Sequence, residues 1–232
     1  MILFPQESKG GVMKIDVLTL FPEMFAGLEH SIIGRARAAG KIEINTIDFR
    51  KYSTNKHKKV DDYSFSGGAG LVLSAQPIVD CVEDIDPEHN AHRIFLTPAA
   101  PVLTQKRVKE LAANHKWLIL LCGHYEGVDQ RAIDLCFDEV ISIGDYVLTG
   151  GELPAMVLVD AVARHVEGVI NSQSLECESF SDGDLLEYPQ YTRPREYRGL
   201  TVPDVLIGGN HAEIAKWKVS AAKEMTKKHR PK

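Results

Sequence analysis

An α/β fold built on a mostly parallel sheet is what this sequence predicts, and three observations predict it. Runs with strand character alternate with stretches of helical periodicity from Lys14 to Val166. Trp117–Cys122 is apolar throughout, as a strand covered on both faces has to be. Three segments that follow strands, Leu96–Pro101, Gly123–Asp129 and Gly144–Glu152, are unusually specific in composition. They stand where ligands collect in such sheets, at the carboxyl ends of the strands.

The elements follow in order. Lys14–Leu20 is a strand rich in β-formers. Phe21-Pro22 opens a helical stretch, and Ser31 is placed to cap a second, Ile32–Ala39, with Gly40 at its end. Ile42–Phe49 is the next strand. Residues 50–70 then form a long polar segment holding Arg50, Lys51, Lys56, His57, Lys58 and Lys59, then Asp61-Asp62, then Gly67-Gly68-Ala69-Gly70. Loops of this length in compact domains are functional or disordered. Basic residues followed by glycines suit contact with a phosphodiester backbone, and a merely solvated loop is the alternative. Gln76–Ile85 reads as a helix, Arg93–Thr97 as a strand that stops at Pro98, and Thr104–Asn114 as a helix capped by Thr104.

Val140–Ile143 reads as a buried strand leading into Ser142–Met156, a stretch with Gly144, Gly150 and Gly151. Glycine there lets the backbone turn sharply and lets a ligand lie against main-chain groups. A plain strand-to-helix loop would also account for the glycines taken alone. Pro154 opens an apolar-periodic helix, Met156–Val166. Residues 168–183 are rich in Ser, Asn, Gln and acids and read as a linker or mobile loop. Asn210 is a good N-cap for a last helix, His211 to about His229. Its stretch carries Lys216, Trp217, Lys218, Lys223, Lys227, Lys228 and Arg230, which suits RNA, although Trp217 could equally pack the helix down.

Composition narrows the function classes. The 232 residues suggest one domain with an appendage or two small ones, and 44% apolar with 25% charged residues is globular. No apolar run approaches the ~20 residues of a membrane span. Gln6, Glu7 and Ser8 interrupt Met1–Val12 where a signal peptide would be apolar, and Met13 precedes the first strand, so residues 1–12 are expected outside the fold. Cys81, Cys122, Cys136 and Cys177 form no C-x-x-C pair, which points to a reducing, cytoplasmic setting. Residues 193–232 carry ten Lys/Arg against four Asp/Glu, a net of +6, leaving −11 for residues 1–192 of the total of −5. A basic tail on an acidic body fits an anionic partner met through the tail, or a solvated face. The absence of G-x-G-x-x-G after the first strand, and of any P-loop, argues against a Rossmann dinucleotide or P-loop site. His89 and His92, without a cysteine partner or a second pair, are expected at the surface rather than on a metal.

Four motifs then stand together: Leu121-Cys-Gly-His-Tyr-Glu-Gly-Val-Asp-Gln-Arg131, Ser142–Met156, Tyr188-Pro-Gln-Tyr-Thr-Arg-Pro194 and Gly209-Asn-His-Ala-Glu-Ile214. With Phe21-Pro-Glu-Met-Phe25 ahead of them, they closely resemble the bacterial tRNA (guanine-N1)-methyltransferases, over essentially everything after Met13. The resemblance implies an α/β fold of the SPOUT class, with a mostly parallel sheet, a deep C-terminal trefoil knot and a small helical C-terminal domain. It implies a knotted S-adenosylmethionine-binding domain over 13–167, a mobile linker and active-site loop over 168–187, and a helical tRNA-binding domain over 188–232. It also implies a homodimer whose active site is shared across the interface, which joins the cytoplasmic setting and the lack of a membrane span expected from composition. The reaction would carry the methyl group of S-adenosylmethionine to N1 of the guanine at tRNA position 37, just 3′ of the anticodon, supporting reading-frame maintenance. Mg²⁺ is left open as an auxiliary ion.

By the same resemblance, the cofactor would be held by Pro98, Gly123, Tyr125, Glu126, Ile143, Gly144, Asp145, Tyr146, Val147, Leu148, Gly150, Gly151 and Pro154. Ile143 and Leu148 would sandwich the adenine. Guanine N1 is nucleophilic only as its proton leaves, so a carboxylate base is wanted, with a cation near O6. Arg164 matches the family's arginine, and Glu178 matches an aspartate, in a loop one residue shorter, where the longer side chain restores reach. Glu176 is the rival base. Ser66-Gly-Gly-Ala-Gly70 departs from a usual glycine-proline pattern, which bears on the guanine pocket. The alternatives are a SPOUT methyltransferase acting on another RNA and a non-catalytic RNA-binding relative.

Overall fold

The computed structural model describes residues 11–176, 178–181 and 183–231, and the chain divides into two compact units, Met1–Ile170 and Asn171–Lys232. The expected N-terminal extension falls mostly on residues 1–10, outside the described residues. In the first unit, β1 (Met13–Thr19) is followed by a 3-10 stretch, Pro22–Glu29, and by α1 (Ser31–Ala38). β2 (Ile42–Asp48) leads through a 3-10 turn, Phe49–Tyr52, to two short antiparallel strands, β3 (Asp61–Asp62) and β4 (Val72–Leu73). Then come α2 (Ala75–Ile85), β5 (His92–Leu96), α3 (Gln105–Asn114), β6 (Trp117–Cys122), α4 (Gln130–Cys136), β7 (Glu139–Ile141) and α5 (Glu152–Ala163).

Five of these strands pair, all in parallel, in the order β2-β1-β6-β5-β7. β6 lies at the centre, and the alternation of its side chains explains its unbroken apolar sequence. Leu118, Leu120 and Cys122 enter one core with residues of the Pro22–Glu29 stretch, α1, α3 and α5. Ile119 and Leu121 enter the other with residues of α2 and α4. Successive strand residues point to opposite faces, so only a strand covered on both sides must be apolar at every position. One ion pair is closed into this packing: Arg93 Nη2 lies 2.8 Å from Oδ2 of the buried Asp86. Burial alone would raise the Asp86 pKa, but N–H groups of Asn90 and Ala91 and the Arg93 guanidinium overcome it and hold the carboxyl below its usual range.

Most element expectations hold within two residues, and the caps Thr104 and Asn210 both form, through Arg107 N–H and through the N–H groups of Ala212 and Glu213. Four expectations need correction. The helix of α1 begins at Ser31 itself, with His30 as N-cap and no side-chain cap, because the preceding 3-10 stretch delivers the chain one residue early. The strand expected over Val140–Ile143 is Glu139–Ile141. At the sheet's edge, it pairs with β5 and with no other described strand, and Val140 is exposed. The helix expected over Met156–Val166 starts at Glu152, which puts Pro154 in the first turn, where a missing N–H costs no intrahelical bond. His92 is not a free surface residue: Nε2 lies 2.8 Å from Glu139, and the ring stacks on His115 at 4.2 Å.

The second unit holds α6 (Ser172–Glu176), a two-residue hairpin of β8 (Glu196–Tyr197) and β9 (Leu200–Thr201), a 3-10 turn at Asp204–Leu206, and α7 (His211–His229). Among its described residues only Ala221 and Ala222 are buried. Trp217 is half-buried between Tyr188 and Tyr191, with ring centroids 6.3 Å from each, so it does pack α7 down. The Leu186 N–H donates to Thr226 Oγ1 at 2.9 Å, tying the segment before the tyrosines to the same helix.

Candidate active site

The carboxyl ends of β6, β5 and β7 are neighbours in the sheet, so the loops that leave them leave side by side. They enclose a cavity of about 350 Å³. From the first loop it takes Thr97, Pro98 and Ala99; from the second Gly123–Gly127; from the third Ser142–Gly144 and Tyr146–Gly151, with Pro154 behind. Main-chain bonds hold the walls to one another. The Thr97 N–H donates to Ile141 O at 3.0 Å, Leu103 N–H to Ser142 O at 2.8 Å, and Gly151 N–H to Gly123 O at 2.9 Å.

That last bond explains a glycine. A Cβ on Gly151 would lie 2.6 Å from the Cα of Cys122 and 2.7 Å from Gly123 N, both main-chain atoms that cannot step aside. The two loops therefore touch backbone to backbone, and any side chain at 151 forces them apart. Gly150 leaves a different space, because a Cβ there would meet His124 Cε1 at 2.4 Å and Glu152 Oε2 at 2.7 Å.

Twelve of the thirteen residues expected to hold a cofactor line this one cavity: Pro98, Gly123, Tyr125, Glu126, Ile143, Gly144, Tyr146, Val147, Leu148, Gly150, Gly151 and Pro154. Asp145 is the exception; it is exposed and does not line it. Tyr125 adopts φ 58, and burial together with Asp61 raises the pKa of its hydroxyl, so it stays a neutral hydrogen-bonding group. Neither of the two residues expected to act on the substrate is among those that line the cavity. Arg164 is the C-cap of α5 and lines a separate shallow groove with Gln105, Leu153, Met156, Val157, Asp160 and Ala161. Glu178 belongs to the second unit and is half-buried just beyond α6, whereas the side chain of its rival Glu176 lies outside the described residues.

Two features were not anticipated. The first is a buried polar cluster behind the cavity. Glu152, 1% exposed, accepts from Thr19 Oγ1 at 2.7 Å, and its other oxygen lies 2.7 Å from His124 Nε2. No sequence signal singled it out, since an acidic residue in the first turn of a helix is ordinary. The second is that the long polar segment ends on the cavity wall. Glu126 N–H donates to Leu71 O at 3.0 Å, and Leu73 N–H to Gly127 O at 2.9 Å. A Cβ on Gly70, at φ +97, would sit 2.5 Å from the Glu126 side chain. The run of glycines beside a strand of β-formers was the available hint. Among the described residues no group of three or more His, Cys, Asp or Glu is placed to hold a metal, so nothing supports a role for Mg²⁺. No described helix is long and apolar enough to cross a membrane.

The family profile described as "tRNA (Guanine-1)-methyltransferase TrmD" matches residues 13–232. Among relatives named tRNA (guanine-N(1)-)-methyltransferase, one from Exiguobacterium is 52% identical over 220 residues, spanning 94% of this chain and 91% of the relative. One from Clostridium botulinum strain 657 is 53% identical over 220 residues, spanning 94% and 90%. A third, from Staphylococcus aureus, is 54% identical over 209 residues, spanning 89% and 84%.

Proposed function

We propose that this chain, which belongs to the tRNA (guanine-1)-methyltransferase family, methylates N1 of the guanine at tRNA position 37, immediately 3′ of the anticodon, with S-adenosylmethionine as donor. Family membership makes it a methyltransferase acting on tRNA guanine; the position is our reading, and the role in reading-frame maintenance follows from it. The observation that carries the donor site is the convergence of the three strand-end loops on one cavity. Its residues fit such a donor. Gly150 and Gly151 keep side chains out of the wall, and apolar Ile143, Leu148 and Pro154 suit a planar base, while main-chain groups of the loops suit a ribose.

When bound, the donor supplies a methyl group on a sulfonium, ready for in-line displacement. What this chain must add is alignment and a deprotonated N1. Glu178 serves as the base that takes the N1 proton, and Arg164 places a guanidinium near O6 as negative charge develops there. The glutamate, one methylene longer than the aspartate of the family pattern, suits the loop that is one residue shorter.

The trefoil knot belongs to this reading, supported by the approach of Gly151 to Cys122 and Gly123, in which one loop passes another with no room for a Cβ. So does a homodimer that completes the active site. Leu153 and Val157 are each 49% exposed on α5 and line the groove that includes Arg164, an apolar surface at a functional residue. We assign residues 168–187, of which 177 and 182 lie outside the described residues, to an active-site loop and 188–232, whose last residue also lies outside them, to tRNA binding, which the basic face of α7 favours, in a cytoplasmic enzyme.

Purified protein, labelled S-adenosylmethionine and tRNA transcripts with G or A at the base 3′ of the anticodon test the reading. Transfer to the G transcript alone is expected. Transfer to neither removes the enzymatic reading in favour of a non-catalytic RNA-binding relative, and equal transfer to both removes the position. Transfer only to a different RNA supports a relative with another substrate.

A further inference from the structure

A carboxylate closed away from water is strongly unfavourable unless it is paired, so its presence behind a ligand cavity asks for a reason. Glu152 stands at the first position of α5 with its side chain 1% exposed. One oxygen takes the Thr19 hydroxyl, whose own oxygen accepts the Phe21 N–H at 2.9 Å; the other faces His124 Nε2 at 2.7 Å. Packing needs no charge here, since the neighbouring positions of α5 that are equally buried are filled by Ala155, Leu158 and Val159.

The His124 ring is held on several sides. Phe21 lies against it with centroids 5.0 Å apart, Tyr125 at 6.2 Å, and Gly150 covers the Cε1 edge at a distance that no Cβ could share. The side chain keeps 16% exposure and lines the cavity. Among the described residues Nδ1 has no protein partner, and no unpartnered side-chain nitrogen is buried, so Nδ1 is the accessible polar edge of the ring.

We infer that Glu152 is a positioning residue, which holds His124 with Nε2–H turned inward so that Nδ1 presents an acceptor to an N–H or O–H group of the methyl donor. A carboxylate can only accept, so the ring must donate through Nε2, and in the singly protonated ring this tautomer leaves the lone pair on Nδ1. The carboxylate thus fixes both the orientation and the polarity of the edge that meets the ligand, as carboxylates do behind metal-bound histidines. Thr19 completes the arrangement by keeping the second oxygen engaged. The inference rests on the reading of the cavity as the donor site.

Titration calorimetry with S-adenosylmethionine, alongside KM, kcat and thermal melting, tests it on the full-length protein. Glu152→Gln can satisfy Thr19 through its oxygen but donates to Nε2, which moves the ring proton to Nδ1 and reverses the exposed edge. His124→Gln keeps a donor for Glu152 and removes the Nδ1 edge. Each is expected to weaken donor binding roughly three- to tenfold, the worth of one hydrogen bond, with KM for the donor rising and the KM for tRNA unchanged. The double variant should bind no more weakly than the worse single one, because both act through the same edge of the ring. Wild-type donor affinity in His124→Gln overturns the inference even where Glu152→Gln fails to fold, and so do additive losses in the double variant. If the wild-type protein itself binds no donor, the reading of the cavity fails, which is a separate result.

Discussion

Helices α5 and α7 differ in what they bury. Of the 12 residues of α5, Glu152, Ala155, Leu158, Val159, Val162 and Ala163 are buried; of the 19 residues of α7, Ala221 and Ala222 are. α5 is held by apolar packing and shapes the cavity wall at its first turn. α7 presents Lys216, Lys218, Lys223, Lys227 and Lys228, and rests on two alanines with Trp217 between tyrosines. The lesson extends to the units that carry them. In the first, stability and ligand shape are the same property, so few changes touch one without the other. In the second, few side chains are buried and the charge is carried by exposed ones.

The sharpest way to break that contrast is at Glu178, the base proposed in the second unit. Glu178→Gln is expected to lower single-turnover methyl transfer roughly 10²–10⁴-fold while donor affinity stays at its wild-type value. Near wild-type turnover in Glu178→Gln with none in Glu176→Gln would move the base to Glu176. A stability comparison comes next. Leu158→Ala should cost about 2–5 kcal/mol in urea unfolding, because the void is lined by a packed core, whereas Val219→Ala, 52% exposed on α7, should fall within about 0.5 kcal/mol. Equal costs at the two positions would mean that α7 is covered in solution. The smallest effect is expected from Lys227→Ala with Lys228→Ala. Binding of tRNA should weaken across all sequences, and the salt dependence should flatten by about one unit for each phosphate no longer neutralised, with donor binding untouched. An unchanged salt slope would leave these lysines the simpler task of favouring the helix C-terminus.

Legibility in the sequence followed the range of the interaction involved. Trp117–Cys122 could be placed because its apolar side chains answer to two cores, and Asn210 because its carboxamide caps its own helix. Val140 misled because its exposure depends on β7 lying at the edge, a property of strand order and not of local sequence. The cavity wall was readable through glycines and the family motifs. The cluster behind it was not, since Thr19, His124 and Glu152 are 133 positions apart at their widest and each is unremarked in its own neighbourhood. Asp145 shows the converse. It stands in the motif, yet it is exposed and does not line the cavity.

Strand β5 has one consequence for how the molecule comes into being. Both of its neighbours, β6 and β7, are made after it. As the chain leaves the ribosome, β1 and β2 can pair early, but residues 92–96 keep two open edges until β6 has emerged and one until residue 141 has, and the bond between Gly151 and Gly123 waits longer still. Pairings between distant segments are the slow ones, and unpaired edges are where nascent chains stick to others. The loops that line the cavity are therefore complete only after every strand of the five-stranded sheet has been made, and a ribosome that stalls before β7 is made leaves one edge of β5 with nothing yet to close it.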